Sequence, residues 1–127
     1  MDQLIVDTLK QYHPDVRLIY LFGSRANGYA RAESDWDIAM LCPRPLDNIQ
    51  RWQLAETLAQ QLNHDVDLVD LATASTVLRM EIIQQGRILF DTPPCGDEFA
   101  MTTLSMYQHL QSERAEILAA LHQRISS

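Results

Sequence analysis

The chain has 127 residues, 46% of them hydrophobic and 21% charged, the size and balance of a single domain over 1–127 with its own core. Ten basic against seventeen acidic residues give a net charge of −7, opposite in sign to a protein that neutralises a phosphate backbone, so direct nucleic-acid binding is disfavoured. The longest apolar run, about Leu18 to Phe22, is far shorter than the roughly 20 residues of a membrane helix.

The start, Met1-Asp2-Gln3, lacks the basic and apolar stretches of a secretory signal, so a cytoplasmic location is expected. In that compartment Cys42 and Cys95 are expected as plain thiols. Leu4, Ile5, Leu9 and Tyr12 recur at helical spacing until Pro14, predicting a first helix over about 3–12. Arg17 to Phe22, closed by Gly23, reads as a buried strand. Residues 24–34 read as a short helical turn and a loop. Asp35 to Cys42 alternates as a second strand, ended by Pro43 and Pro45.

Asp47 and Gln50 resemble a capping box that opens a helix with Ile49, Trp52, Ala55, Leu58, Ala59 and Leu62 on one buried stripe. Trp52 is thereby assigned to the core or to an interface. Val66 to Leu71 is a third strand. Thr73 or Ser75 caps a further helix that ends at Gly86, read as a left-handed stop, and Arg87 to Phe90 forms a fourth, short strand. After the linker Pro93-Pro94-Cys95-Gly96, a long amphipathic helix covers about 97–124. The order predicts an α+β (mixed α/β) fold, a small mixed sheet of three to four strands flanked by helices.

The chemistry concentrates at strand ends. Gly23-Ser24 follows an apolar strand, ten residues separate Ser24 from Asp35, and Asp35-Trp36-Asp37 enters the next strand. Residues two apart in a strand share a face, so Asp35 and Asp37 can hold magnesium between them. A third acid is available in Asp65-Val66-Asp67-Leu68-Val69-Asp70. Asp67, flanked by Val66 and Leu68, is favoured over Asp65, and Asp70 is read as a strand-end residue on the opposite face.

Three carboxylates around two cations suit phosphoryl and nucleotidyl transfer. The third carboxylate is placed to take the proton of an attacking hydroxyl. Gly23 admits a sharp turn and Ser24 offers a hydroxyl and an amide to phosphate oxygens. Arg25 and Arg31 either pair with the triphosphate or brace the loop. Gly-Ser after a strand, or Asp-x-Asp in a loop, is by itself ordinary; their conjunction carries the reading.

Gly23-Ser-Arg-Ala-Asn-Gly28 through Ser34-Asp-Trp-Asp-Ile-Ala39, with Val66 to Leu71 and Gln85 to Asp91, resembles the minimal nucleotidyltransferases of the DNA polymerase β-like superfamily. More closely it is similar to the antitoxins of HEPN/MNT toxin–antitoxin pairs. The resemblance covers a catalytic core over about 17–91. It implies Gly23 and Ser24 at the nucleotide, where Arg25 in the same segment is a further nucleotide-binding candidate, and Asp35, Asp37 and Asp67 as catalytic residues holding two magnesium ions. It further implies ATP as substrate and transfer of AMP to a tyrosine hydroxyl of a HEPN-family toxin, which is thereby inactivated. Trp36 between the acids departs from the small or aliphatic residues common there.

Two rival functions are a small-molecule nucleotidyltransferase and a non-catalytic antitoxin that acts by binding. The first needs an acceptor-binding domain that 127 residues hardly provide. Tyr29 is either a base-stacking residue or a surface aromatic. The four histidines share no metal-type spacing and are read as surface residues, His64 being the one near the site. The apolar face of the last helix either packs on its own sheet or remains as a docking surface.

Overall fold

The computed structural model describes residues 1–28, 30–31 and 34–126. Among these the elements in chain order are α1 (Asp2–Tyr12), β1 (Leu18–Phe22), α2 (Ser24–Asn27), β2 (Trp36–Leu41), α3 (Asn48–Leu62), β3 (Val66–Asp70), α4 (Thr76–Gln85), β4 (Arg87–Asp91) and α5 (Cys95–Ser126). The sheet runs β3-β2-β1-β4, with β3 parallel to β2 and both other pairings antiparallel, the mixed four-stranded sheet expected.

β1 reads as an unbroken apolar run because it is central and covered on both faces. Ile19 and Leu21 turn toward α1 and α3, where Ile5, Leu9, Leu54, Leu58 and Leu62 complete one core layer. Leu18 and Tyr20 turn the other way, toward Ile82 of α4 and Phe99 of α5. β2 divides likewise: Trp36, Ile38 and Met40 join the first layer and Ala39 the second. Alternation therefore puts Asp37 on the Ala39 face, at the end of β2 nearest Phe22.

Three local expectations differ from what is observed. Leu54, Leu58 and Leu62 are the buried residues of α3, and Trp52 is 65% exposed. At about 100° per residue, Leu54, Leu58 and Leu62 span about 80° of the helix, and Trp52 stands about 120° from the middle of that stripe. Asp47 does cap this helix, its carboxylate accepting from the Ile49 amide.

Gly86 is not a left-handed stop. Its φ of −86° and ψ of 174° are extended, and the chain passes straight into β4. A glycine fits because a Cβ there would meet the Ile82 and Leu21 carbonyl oxygens. The last helix starts at Cys95, two residues before the expected Asp97, since the Asp91 carboxylate accepts from the Gly96 amide at 2.9 Å.

Asp70 closes β3 as a strand-end residue, but a buried one, and its role is local. Its carboxylate accepts from the Leu46 amide at 2.8 Å and the Ala72 amide at 3.0 Å, tying the segment before α3 to the end of β3. Cys42 and Cys95 are both free thiols. Among the described residues no helix is long and apolar enough to cross a membrane.

Candidate active site

The site is built on two neighbouring strands and one turn. In the register of the sheet, Asp37 is paired with Phe22 on one side and with Asp67 on the other. Asp67 is therefore the β3 residue that shares Asp37's level and face. Asp65 precedes β3, and its carbonyl accepts from the Trp36 amide at 2.9 Å, closing the ladder at its end. Asp35 stands just before β2, exposed, with the two-residue offset that returns a side chain to Asp37's face.

Burial raises the Asp37 carboxyl above its ordinary value, and the charges of Asp67 and Asp35 raise it further. The charges of Asp67 and Asp35 thus reach Asp37 across the strand ends. Among the described residues the oxygens of these three aspartates are not drawn within 4.8 Å of one another as a trio. Every donor they offer is a carboxylate oxygen, the ligand type that magnesium selects. A divalent cation would relieve the repulsion that Asp37 experiences.

Gly23 meets this cluster directly. Its φ of 71° and ψ of −157° lie in a region that is essentially glycine-only, and a Cβ there would collide with Asp37 Oδ2. The missing side chain lets the corner after β1 touch the Asp37 carboxylate. Ser24 opens α2, whose first bonds run from the Ala26 and Asn27 amides to the Gly23 carbonyl. Ser24 therefore stands at the very start of the turn that Gly23 sets against Asp37.

Arg25 is engaged with protein rather than aimed outward. Its guanidinium donates to the Ser34 carbonyl from Nε at 3.0 Å and Nη2 at 2.7 Å, and lies 4.3 Å from the centre of the Trp36 ring. Ser34 is a residue that inspection of the sequence passes over. Its carbonyl receives Arg25, and its hydroxyl accepts from the Arg31 amide at 2.8 Å. Tyr29 lies outside the described residues. His64 places Nδ1 2.8 Å from the Leu62 carbonyl.

The sequence profile of the family described as "Polymerase beta, Nucleotidyltransferase" matches residues 3–94, which include every element of this site. The chain belongs to that nucleotidyltransferase family. This nucleotidyltransferase is 50% identical over 114 residues to the protein adenylyltransferase MntA of Shewanella oneidensis, spanning 90% of the chain and 82% of the relative. Among solved structures, a toxin–antitoxin with AMP-PNP aligns at a TM-score of 0.87 and 48% identity, covering 94% of this nucleotidyltransferase and 97% of its neighbour. A tri-AMPylated Shewanella oneidensis HEPN toxin in complex with an MNT antitoxin matches at a TM-score of 0.78 and 46% identity, covering 95% and 98%.

Proposed function

We propose that the chain is a protein adenylyltransferase and an antitoxin: it transfers AMP from ATP to a tyrosine hydroxyl of a HEPN-family ribonuclease toxin and so silences it. The observation that carries the reading is Asp37, held between the bare backbone of Gly23 and the charges of Asp67 and Asp35. The half-identical relative is a protein adenylyltransferase, and a solved neighbour is an antitoxin bound to its AMPylated HEPN toxin.

In this reading one domain, 1–127, carries the whole function. The triphosphate lies along Gly23 and Ser24, where the Ser24 amide and hydroxyl donate to phosphate oxygens. Asp35, Asp37 and Asp67 hold two magnesium ions. Bound there, the ions supply Lewis-acid activation of the acceptor hydroxyl and neutralise charge on the departing pyrophosphate. A tyrosine hydroxyl, with a pKa of about 10, is a weak nucleophile at neutral pH. Asp67, exposed at the strand edge, takes its proton as the hydroxyl attacks the α-phosphorus.

Arg25 is assigned to the loop rather than to the phosphates. Through the Ser34 carbonyl and the Trp36 ring it fixes both flanks of Asp35 and thereby the entry to β2. The Trp36 side chain itself joins the core layer under α1 and α3, which is why an aromatic between the two acids leaves them unobstructed.

The acceptor is a protein, and a surface for one exists. Phe99 and Thr103 of α5 are covered, but Ile117, Leu118, Leu121 and Ile125 are 61%, 59%, 48% and 81% exposed. Spaced at i, i+1, i+4 and i+8, they form one apolar face on the outer half of α5, which serves to dock the toxin.

Incubation with the HEPN partner, ATP and Mg2+, followed by intact-mass analysis, tests this function. The partner is expected to gain mass in whole AMP units, and EDTA is expected to abolish the gain. A tight complex with no added mass under the same conditions would favour neutralisation by binding alone.

A further inference from the structure

We propose that His13, Asp15 and Cys42 form a binding site for a borderline-soft divalent cation of the zinc class, distinct from the aspartate cluster. One donor atom from each residue, an imidazole nitrogen, a carboxylate oxygen and the thiol Sγ, lies within 4.8 Å of the others. Zinc bound at about 2.0–2.3 Å in a tetrahedron sets its donors about 3.5 Å apart, so the trio needs only a small closure. A mixed sulfur, nitrogen and oxygen set suits zinc or cobalt and is a poor one for magnesium, which prefers oxygen alone.

The backbone arranges these donors in advance. His13 ends α1, its amide bonded to the Leu9 carbonyl, and its own carbonyl accepts from the Val16 amide across a turn that contains Pro14 and Asp15. Two residues later the Arg17 amide donates to the Leu41 carbonyl at 2.8 Å, pinning that turn beside the end of β2, where Cys42 follows. Cys42 is buried, His13 half-buried and Asp15 exposed, leaving the Asp15 side open for entry and for a water as fourth ligand.

This site cannot merge with the transfer centre. Asp37 and Cys42 are five residues apart on one extended stretch, or about 16 Å at about 3.3 Å per residue. The thiol's proton is held firmly, with burial first and then the charges of Asp15 and Asp70 pushing its pKa up to about 11. Cation uptake releases that proton and gives the Asp15 charge a partner. The bound ion would clip the α1–β1 turn to the end of β2 and stabilise the fold by mass action.

The test uses the full chain as a C95S variant, so that Cys42 is its one thiol, titrated with Co2+ under reducing, anaerobic conditions. One equivalent should produce a thiolate-to-cobalt charge-transfer band in the near ultraviolet, displaced by Zn2+ and unchanged in a D37N background. H13A and D15N, which alter donors nearer the surface and leave the core intact, should each weaken cobalt binding at least about tenfold with an unchanged far-ultraviolet spectrum. C42S should lose the band. If the C95S protein develops no thiolate band at saturation, or if H13A and D15N bind cobalt as tightly as their parent, the assignment is wrong. H13A and D15N keep the test decisive even if C42S does not fold.

Discussion

Replacing Asp37 by asparagine is expected to lower the rate of AMP transfer by at least about a thousandfold, because cation-mediated charge stabilisation is worth several kcal/mol and about 1.4 kcal/mol is a factor of ten. The same change should leave the fold intact. In the native state the Asp37 carboxyl sits above its ordinary value of 3.8, raised by burial and then by Asp67 and Asp35. Its ionised form therefore opposes folding at neutral pH, and that opposition fades as the pH falls through the raised value. An asparagine side chain carries no such charge, so the Asp37→Asn variant should melt no lower than its parent at pH 7 and should lose this part of the parent's gain on acidification. Single-turnover transfer followed by intact mass, with thermal melts at neutral and acid pH, measures both. A variant that transfers AMP at the parental rate would remove Asp37 from the reaction.

Gly23→Ala is expected to damage stability and chemistry together. Its φ of 71° and ψ of −157° impose a strain of about 1–3 kcal/mol on any residue with a Cβ, and the added methyl must also push aside the Asp37 carboxylate. A displacement of about 1 Å at a reacting centre can reduce rate about a hundredfold, so loss of at least that size is expected even for the fraction that folds.

Gly28→Ala is the matched control. Gly28 also has a positive φ, 84°, but a Cβ there meets nothing within 4 Å. It should lose about 1 kcal/mol from left-handed strain alone and retain transfer. Chemical denaturation and transfer rates for the two alanine variants separate backbone strain from displacement of Asp37. Equal behaviour of the pair would mean that contact between Gly23 and Asp37 has no part in the chemistry.

The residues nearest the chemistry are the most legible in the sequence, and for a local reason. Leu18 to Phe22 and Trp36 to Leu41 declare themselves as strands by composition, and a strand's two-residue period then fixes which side chains share a face. That period does not separate Asp67 from Asp65, which lie two residues apart; the pairing of β3 with β2, which sets Asp67 level with Asp37, does. The α3 stripe is not legible, because apolar residues ring that helix. Three leucines spaced four apart settle against the sheet and α1, and only packing reveals that Ile49 and Trp52 are left outside.

Other features depend on contacts between distant parts of the chain. The sequence offers two uses for Arg25, phosphate pairing or bracing, and the Ser34 carbonyl that its guanidinium meets is a bracing contact that residue types alone do not announce. His13, Asp15 and Cys42 have no metal-type spacing, and only the pairing of Arg17 with Leu41 brings them together. Gly86 shows the limit of residue-type rules. A glycine after a helix suggests a left-handed turn, whereas the space beside the Ile82 and Leu21 carbonyls is what excludes a side chain.

The most direct test of the aspartate centre is Mn2+ binding followed by electron paramagnetic resonance, with a non-hydrolysable ATP analogue present and the His13 site removed by H13A. Wild-type aspartates should bind manganese together with the analogue, and the Asp35→Asn/Asp37→Asn double variant should leave the manganese free. Equal manganese binding by both proteins would contradict the assignment of these carboxylates to the cations.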